Sequence, residues 1–409
     1  MALLASAFGA TEAASSIPLP AGGVLKTTFK GKLGYACLNT TLRAQKPSVF
    51  MSRGCTLNTI KTQGIQVAKD RALLNVQDGI TMLDWNERHG IRFMRLSSDM
   101  FPFGSHQEHG YPLEFAAAEL KRVGDHAKRL GHRLTFHPGQ YTQLASPKED
   151  VVVRAIRDLK MHAEILDLMG LDQDSVMVIH MGGVFESSAH ADRAEAKAET
   201  LARFERTFET LPEYVQRRLV LENDDVSWSI EDLIGTCEKL SIPLVLDHHH
   251  NSIVHSSLPL LSYVPRVDAI WARRGIRPKQ HLSDPAKPTG TPHQRRLHAY
   301  LVSRLPVEID GWDGDLMVEA KGKERAVLAL ARRYGLWDVG EEWEVSGASS
   351  EAVANSSDHD KLEVNVAVPT PPKRGKKRKV EEQEDSSVEN NTDATPPRPA
   401  TRSTRRKKV

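Results

Sequence analysis

From residue 33 onward the chain alternates, eight times over, between a short apolar run and a longer amphipathic stretch. The runs read LGYACL (33–38), RFMRL (92–96), RLTFH (133–137), VMVIH (176–180), LVLE (219–222), PLVLD (243–247), KQHLS (279–283) and DLMVE (315–319). Stretches with helical period follow them. They lie at 67–89 (beyond a long insertion), 114–130, 149–169, 191–210, 230–240, weakly at 258–275, then at 293–304 and 323–336. Alternation of this kind predicts a parallel sheet, and eight units predict closure into a (β/α)8 TIM barrel, an α/β fold. A doubly wound open sheet is the structural rival, but it gathers polar groups mainly at one switch point. Here nearly every run ends in one, and the barrel is the expectation.

Those ends carry the chemistry. In order they supply His137, His180, Glu222, Asp247 with His248, His249 and His250, then Lys279 with His281, and Glu319; the run RFMRLSSD adds Arg95 and Asp99. A buried parallel strand reads as continuous Val, Ile and Leu, so a polar group at its end is not there for packing. In a parallel barrel all these ends meet on the face where active sites sit. Singly, each residue has an ordinary reading. A lone histidine can be a hydrogen-bonded core residue, and a carboxylate such as Glu222 can cap the helix that follows. Together, without cations, they would combine like-charge repulsion with desolvation. Two or three divalent metals remove that conflict. Imidazole and carboxylate without thiolate suit Mn²⁺, Zn²⁺ or Fe²⁺ rather than an all-oxygen Ca²⁺ site. Glu222 can bridge two ions, and such clusters serve phosphoryl chemistry or proton abstraction from a sugar. Lys279 shares a side of the pleat with His281. It can pair with a carboxylate, act electrostatically on a phosphate, or be carboxylated into a further ligand.

Outside 31–340 the character changes. Residues 1–30 carry no basic residue before Lys26, which makes a poor secretory or Arg-rich transit signal, so a flexible leader is expected. Residues 341–409 hold too little apolar surface to offset chain entropy, and a disordered tail is expected. The tail contains Lys373-Arg374-Gly375-Lys376-Lys377-Arg378-Lys379 and ends in Arg405-Arg406-Lys407-Lys408, clusters that read as nuclear-import signals. A nuclear protein that engages an import receptor is therefore expected, with a mitochondrial fraction left open. Net charge is only +2, so any attraction to a polyanion must come from local patches. Three cysteines without CxxC spacing argue against a disulfide framework or thiolate zinc site. No run approaches the roughly 20 apolar residues of a membrane span, and a monomer without membrane contact is expected.

The chain resembles the UV damage endonuclease family, in the endonuclease-IV-like group of metal-dependent barrels. The resemblance covers about residues 31–340. It rests on Gly34-Tyr35 with Asn39, Arg95-Leu96-Ser97-Ser98-Asp99 running into Phe101-Pro102-Phe103, and Phe136-His137-Pro138-Gly139-Gln140-Tyr141. It continues with Ile179-His180-Met181-Gly182-Gly183, Leu221-Glu222-Asn223-Asp224-Asp225, Asp247-His248-His249-His250 and Val318-Glu319-Ala320-Lys321. It implies an endonuclease that nicks duplex DNA immediately 5′ of UV photoproducts, leaving 3′-hydroxyl and 5′-phosphate ends. Mn²⁺ would be the favoured metal, with Mg²⁺, Zn²⁺ or Co²⁺ as substitutes. Carried over, the ligands are His137, His180, Glu222, Asp247, His250, His281, His298 and Glu319, with His293 a rival to His298. Glu222, Lys279 and Glu319 take the catalytic roles, and Lys279 falls where the family carries a carboxylated lysine. Gln140 and Tyr141 match residues that probe the duplex, with Tyr35 and Asn39 lining the same site. A Tyr ring on the rim can stack into a gap between bases, and Gln can satisfy an orphaned base edge. Arg43, Lys46, Lys61, Arg273, Arg274, Arg277, Arg295 and Arg296 are expected near phosphates. An abasic-site endonuclease, a sugar isomerase and a damage-binding protein without catalysis are the rival functions. Incision of a photoproduct duplex separates the first expectation from all three.

Overall fold

The protein is seen as a computed structural model that describes residues 24–187 and 190–339. Eight parallel strands form one ring: β1 Leu33–Ala36, β2 Phe93–Arg95, β3 Arg133–Thr135, β4 Met177–His180, β5 Leu219–Glu222, β6 Leu244–Asp247, β7 Lys279–Leu282 and β8 Asp315–Val318. Their order is β3-β2-β1-β8-β7-β6-β5-β4. The two ends of that row meet through a single parallel bridge between Phe136 and Met177, so the seam of the barrel lies between β3 and β4. Each strand is followed by a helix: α1 Gln66–Arg88, α2 Ala117–Arg129, α3 Glu149–Leu168, α4 Arg193–Glu209, α5 Ile230–Leu240, α6 Val264–Arg273, α7 Pro292–Arg296 and α8 Glu324–Tyr334. The insertion before α1 holds two short helices, Thr40–Arg43 and Leu57–Gln63.

The layers follow from side-chain parity. Strand residues alternate between barrel interior and helix layer. Ala36, Phe93 and Met317 pack together inside, while Leu33, Tyr35 and Leu134 join the larger core outside. Helices bury small and aliphatic residues at three- and four-residue spacing, as in α1 with Ala68, Ala72, Val76, Gly79 and Leu83. Gly124 of α2 lies so close to the carbonyl of Met169 that a Cβ would stand 1.8 Å from its oxygen. At the N-terminal end the interior is plugged by charge. Arg133 Nη1 donates to Asp315 Oδ2 at 3.0 Å and Arg277 Nε to Asp315 Oδ1 at 3.1 Å. Arg133 also donates to the carbonyls of Asp174 and Arg277, so the buried guanidinium is well satisfied.

Two expectations change. The helix expected over 293–304 is only Pro292–Arg296, opened by a Thr291–Gln294 capping box. Leu297 turns extended, and His298 pairs with Pro285 instead of continuing the helix. The leader boundary expected at residue 31 falls earlier, because Phe29 is buried and Thr28 donates to Asp310 through its backbone and hydroxyl. Residues 1–23 of that leader and the whole tail 341–409 lie outside the described residues. Among the described residues no helix is long and apolar enough to cross a membrane.

Candidate metal centre

Glu222 sits at the C-terminal end of β5, fully buried, with imidazoles around both of its oxygens. His137 Nε2 lies 3.0 Å and His180 Nε2 3.7 Å from Oε2. His281 Nδ1 lies 2.7 Å and His250 Nδ1 3.6 Å from Oε1. Two ligands of one ion, each ~2.1 Å from it, stand ~3–3.5 Å apart, so these separations suit donors that share a cation. Three groups of donor atoms form: His137, His180 and Glu222; Glu222, Asp247 and His250; Asp247, His281 and Glu319. The first two share Glu222 and the last two share Asp247, which is how bridging carboxylates link adjacent ions. Strand register explains the gathering. His180 is the direct neighbour of Glu222, and Asp247 of His281.

Several buried polar atoms here lack a hydrogen-bond partner: Asp247 Oδ2, His180 Nδ1, His281 Nε2 and Lys279 Nζ. Orphaned donors and acceptors are costly in a sealed interior. Their concentration in one crevice fits a set of residues built for cations. Electrostatics agree. Burial, with Asp247 and Glu319 close by, holds the Glu222 carboxyl well above its usual range. Burial also holds the His137 and His281 imidazoles well below theirs, leaving them neutral and able to ligate. Glu319 is buried too, but the permanent charge of Arg95 beside it outweighs that and keeps it ionised. Arg95, at the end of β2, pairs directly with Glu319. Lys279 lies one layer below His281, its Nζ 5.5 Å from the Phe93 ring centroid, and burial lowers it to about 7.

Of the three consecutive histidines, only His250 joins a donor group. His248 is held by Gln280 at 2.7 Å, and His249 faces His298 with ring centroids 4.9 Å apart. His298 is half-buried at the edge of the cluster, its ring centroid 6.5 Å from that of His250, while its rival His293 is exposed. His298 belongs to none of the three groups. Asn223 had no role assigned from sequence. Its side chain grips the backbone of Asp247 in both directions, at 2.8 and 3.1 Å, and its carbonyl meets His250 Nδ1 at 2.9 Å. The only signal was an amide residue directly after a strand-end ligand.

Gln140 and Tyr141 are exposed on the loop after β3, Tyr141 at 58%. Tyr35 and Asn39 are not on that rim. Both are fully buried, because Ala36 takes the interior position and Tyr35 therefore faces the helices. The Tyr35 hydroxyl donates to Asn86 at 2.7 Å, and Asn39 donates to Tyr35 while capping the helix Thr40–Arg43. Both side chains are thus engaged with each other and with Asn86 rather than open at the rim. Arg273, Arg274 and Arg277 precede β7 and so lie at the opposite end of the barrel from the centre. Arg274 donates to the Ser241 carbonyl there, and Arg277 belongs to the charged plug.

The model of the family described as UV-endonuclease UvdE matches residues 31–350. The UV-damage endonuclease of Schizosaccharomyces pombe is 49% identical over 318 residues, covering 75% of this chain and 51% of that one. That of Neurospora crassa is 42% identical over 364 residues, covering 79% and 53%. The chain thus spans about half the length of these curated relatives. The crystal structure of SacUVDE superposes with a TM-score of 0.63 at 27% identity, over 75% of this chain and 98% of that one.

Proposed function

The chain belongs to the UV-endonuclease UvdE family, and from that premise we propose that it is a metal-dependent repair nuclease acting on UV-damaged duplex DNA. It nicks the duplex immediately 5′ of the photoproduct and leaves 3′-hydroxyl and 5′-phosphate ends. The observation that supports this best is the trio of donor groups sharing Glu222 and Asp247 at the mouth of the barrel. Bound divalent ions would supply Lewis-acid activation of water and neutralisation of the attacked phosphate. Glu222 and Asp247 would bridge them, His137, His180, His250, His281 and Glu319 would complete the shells, and His298 would close the edge. Mn²⁺ suits this donor set, with Mg²⁺, Zn²⁺ or Co²⁺ as substitutes.

The remaining residues orient and read. Arg95 keeps Glu319 ionised and adds a permanent positive charge where β2 brings no ligand. The unpaired amine of Lys279 beneath the cluster has the setting for carboxylation: its neutral nitrogen would attack carbon dioxide and lose a proton to water, leaving a carbamate whose oxygens would serve as further ligands. Tyr141 enters the weakened stack at the lesion, with Gln140 meeting the orphaned base edge. Damage lowers the cost of that entry, which gives selectivity without a base code. The chain acts as a monomer, and its basic tail engages an import receptor that takes it to the nucleus.

The test is a duplex carrying one defined photoproduct, incubated with metal-stripped protein before and after Mn²⁺ is restored. The expected product is a single nick on the 5′ side with a 3′-hydroxyl, appearing only with metal. Cutting confined to an abasic site would overturn the photoproduct assignment. Sugar turnover without any nick would overturn the nuclease reading.

A further inference from the structure

The motif Phe101-Pro102-Phe103 and the loop it opens have no part in the centre described above. The loop leaves β2 on the same face as the metal centre and is tightly built. His106 N donates to the Phe103 carbonyl at 2.9 Å, and Gly110 N to that of His106 at 2.8 Å. The His106 Nδ1 accepts from the backbone N–H groups of Glu108 and His109 at 3.1 and 3.2 Å. These bonds gather three half-buried rings. The His106 and His109 rings stack at 5.0 Å, and Phe103 stands 5.5 and 6.4 Å from them. Flat rings on a nucleic-acid-facing rim are surfaces on which an unpaired base stacks.

The loop is tied to the turn bearing Gln140 and Tyr141 through one carboxylate. Thr142 N donates to the Gly139 carbonyl at 2.9 Å, which closes the turn and pushes Gln140 and Tyr141 outward. The Thr142 hydroxyl donates to Asp158 Oδ2 at 2.9 Å. The Ser105 hydroxyl, between Phe103 and His106, donates to Asp158 Oδ1, also at 2.9 Å. Asp158 lies on α3. One turn further along, Met161 packs so closely on Gly104 that a Cβ there would stand 2.6 Å from its sulfur. Both loops therefore rest on the same stretch of helix, each using one oxygen of the same side chain.

We propose that loop 101–110 is a second damage-reading element, its ring cluster stacking on DNA at the lesion, and that Asp158 is the positioning residue coupling it to the Gln140–Tyr141 turn. The inference rests on the reading of the chain as a nuclease for UV-damaged duplex. A wedge on a free loop would spend binding energy on ordering itself. A carboxylate that holds both loops removes that cost and makes the two contacts cooperative.

The test measures affinity of the full-length, Mn²⁺-loaded protein for two duplexes, one with a single pyrimidine dimer and one intact. Methylphosphonate linkages on both sides of the lesion, and at the same places in the intact duplex, block incision. The damaged-to-intact affinity ratio is expected to fall about tenfold in Ser105→Ala and in Asp158→Ala, but less than about twofold in Asp158→Asn, whose amide can still bond both hydroxyls. In a Tyr141→Ala background, Ser105→Ala is expected to cost clearly less than it does alone, because the coupling between the two contacts is already lost. A 2-aminopurine opposite the lesion should brighten less in Ser105→Ala, although the turn bearing Tyr141 is untouched. An unchanged ratio in Ser105→Ala and Asp158→Ala overturns the proposal, and so does a Ser105→Ala loss that persists in full without Tyr141. A parent protein that binds both duplexes alike overturns the underlying reading and the inference with it.

Discussion

Glu222 shows how a single residue can serve the site while opposing the fold. Its carboxyl is held well above the ordinary range by burial and by Asp247 and Glu319. A carboxyl whose folded pKa lies above its unfolded value favours the fold at low pH and opposes it as pH rises through the folded value. At neutral pH the metal-free protein therefore carries Glu222 at a cost, which bound cations remove. Metal-free Glu222→Gln should melt no lower than metal-free parent at pH 7, while Mn²⁺ should raise the Tm of the parent by more than that of the variant. Incision by the variant should fall by about a hundred- to a thousandfold, the range for losing a central charge-stabilising group. A variant with parental incision and parental response to Mn²⁺ would remove Glu222 from the centre. Glu222 and its partners were legible because ionisable groups do not end a buried parallel strand for packing reasons. The burial of Tyr35 was not legible, because a motif match says nothing about pleat parity, and Ala36 already held the interior position. The clamp made by Asn223 was hidden because its partners are backbone atoms of another strand.

At the level of elements, all eight strands fall where the apolar runs stand, since burial on both faces leaves a signal that needs no partner to interpret. The segment 293–304 behaved otherwise. Its Leu297 and Leu301 stand four residues apart, as on one face of a helix, yet Ala286 N bonds the Leu297 carbonyl at 2.6 Å and Ala299 N that of Asp284 at 2.7 Å. Pairing with a distant segment outweighed local propensity, and this delivers His298 to the edge of the centre. The charged plug of β3 and β8 was also invisible, because Arg133 and Asp315 lie far apart in sequence. Replacing Arg133 with Met should destabilise the fold by about 3 kcal/mol, the lower end for breaking a buried pair. The lower end applies because Asp315 keeps Arg277 and the Lys32 amide as partners. Urea unfolding measures this, and a midpoint equal to the parent would show the plug to be dispensable.

Taken as a whole molecule, the barrel is not uniform around its circumference. Neighbouring strands elsewhere share runs of paired residues, whereas β3 and β4 are joined only by Phe136 N to the Val176 carbonyl and Val178 N to that of Phe136. Directly above that junction stand His137 and His180, one from each side, both turned to the same oxygen of Glu222. A cation held by these three residues is thus a staple across the least-sewn gap in the wall. If parting β3 from β4 destroys the site, ion at a hundred times its Kd should slow hydrogen exchange at Phe136 and Val178 about a hundredfold. Amides of β7 and β8, sewn on both sides, should respond less, and equal slowing around the ring would deny the seam its special place. The same ions that would serve the proposed chemistry then also latch the vessel that holds them, so starvation for metal would loosen the protein along one line rather than merely idle it.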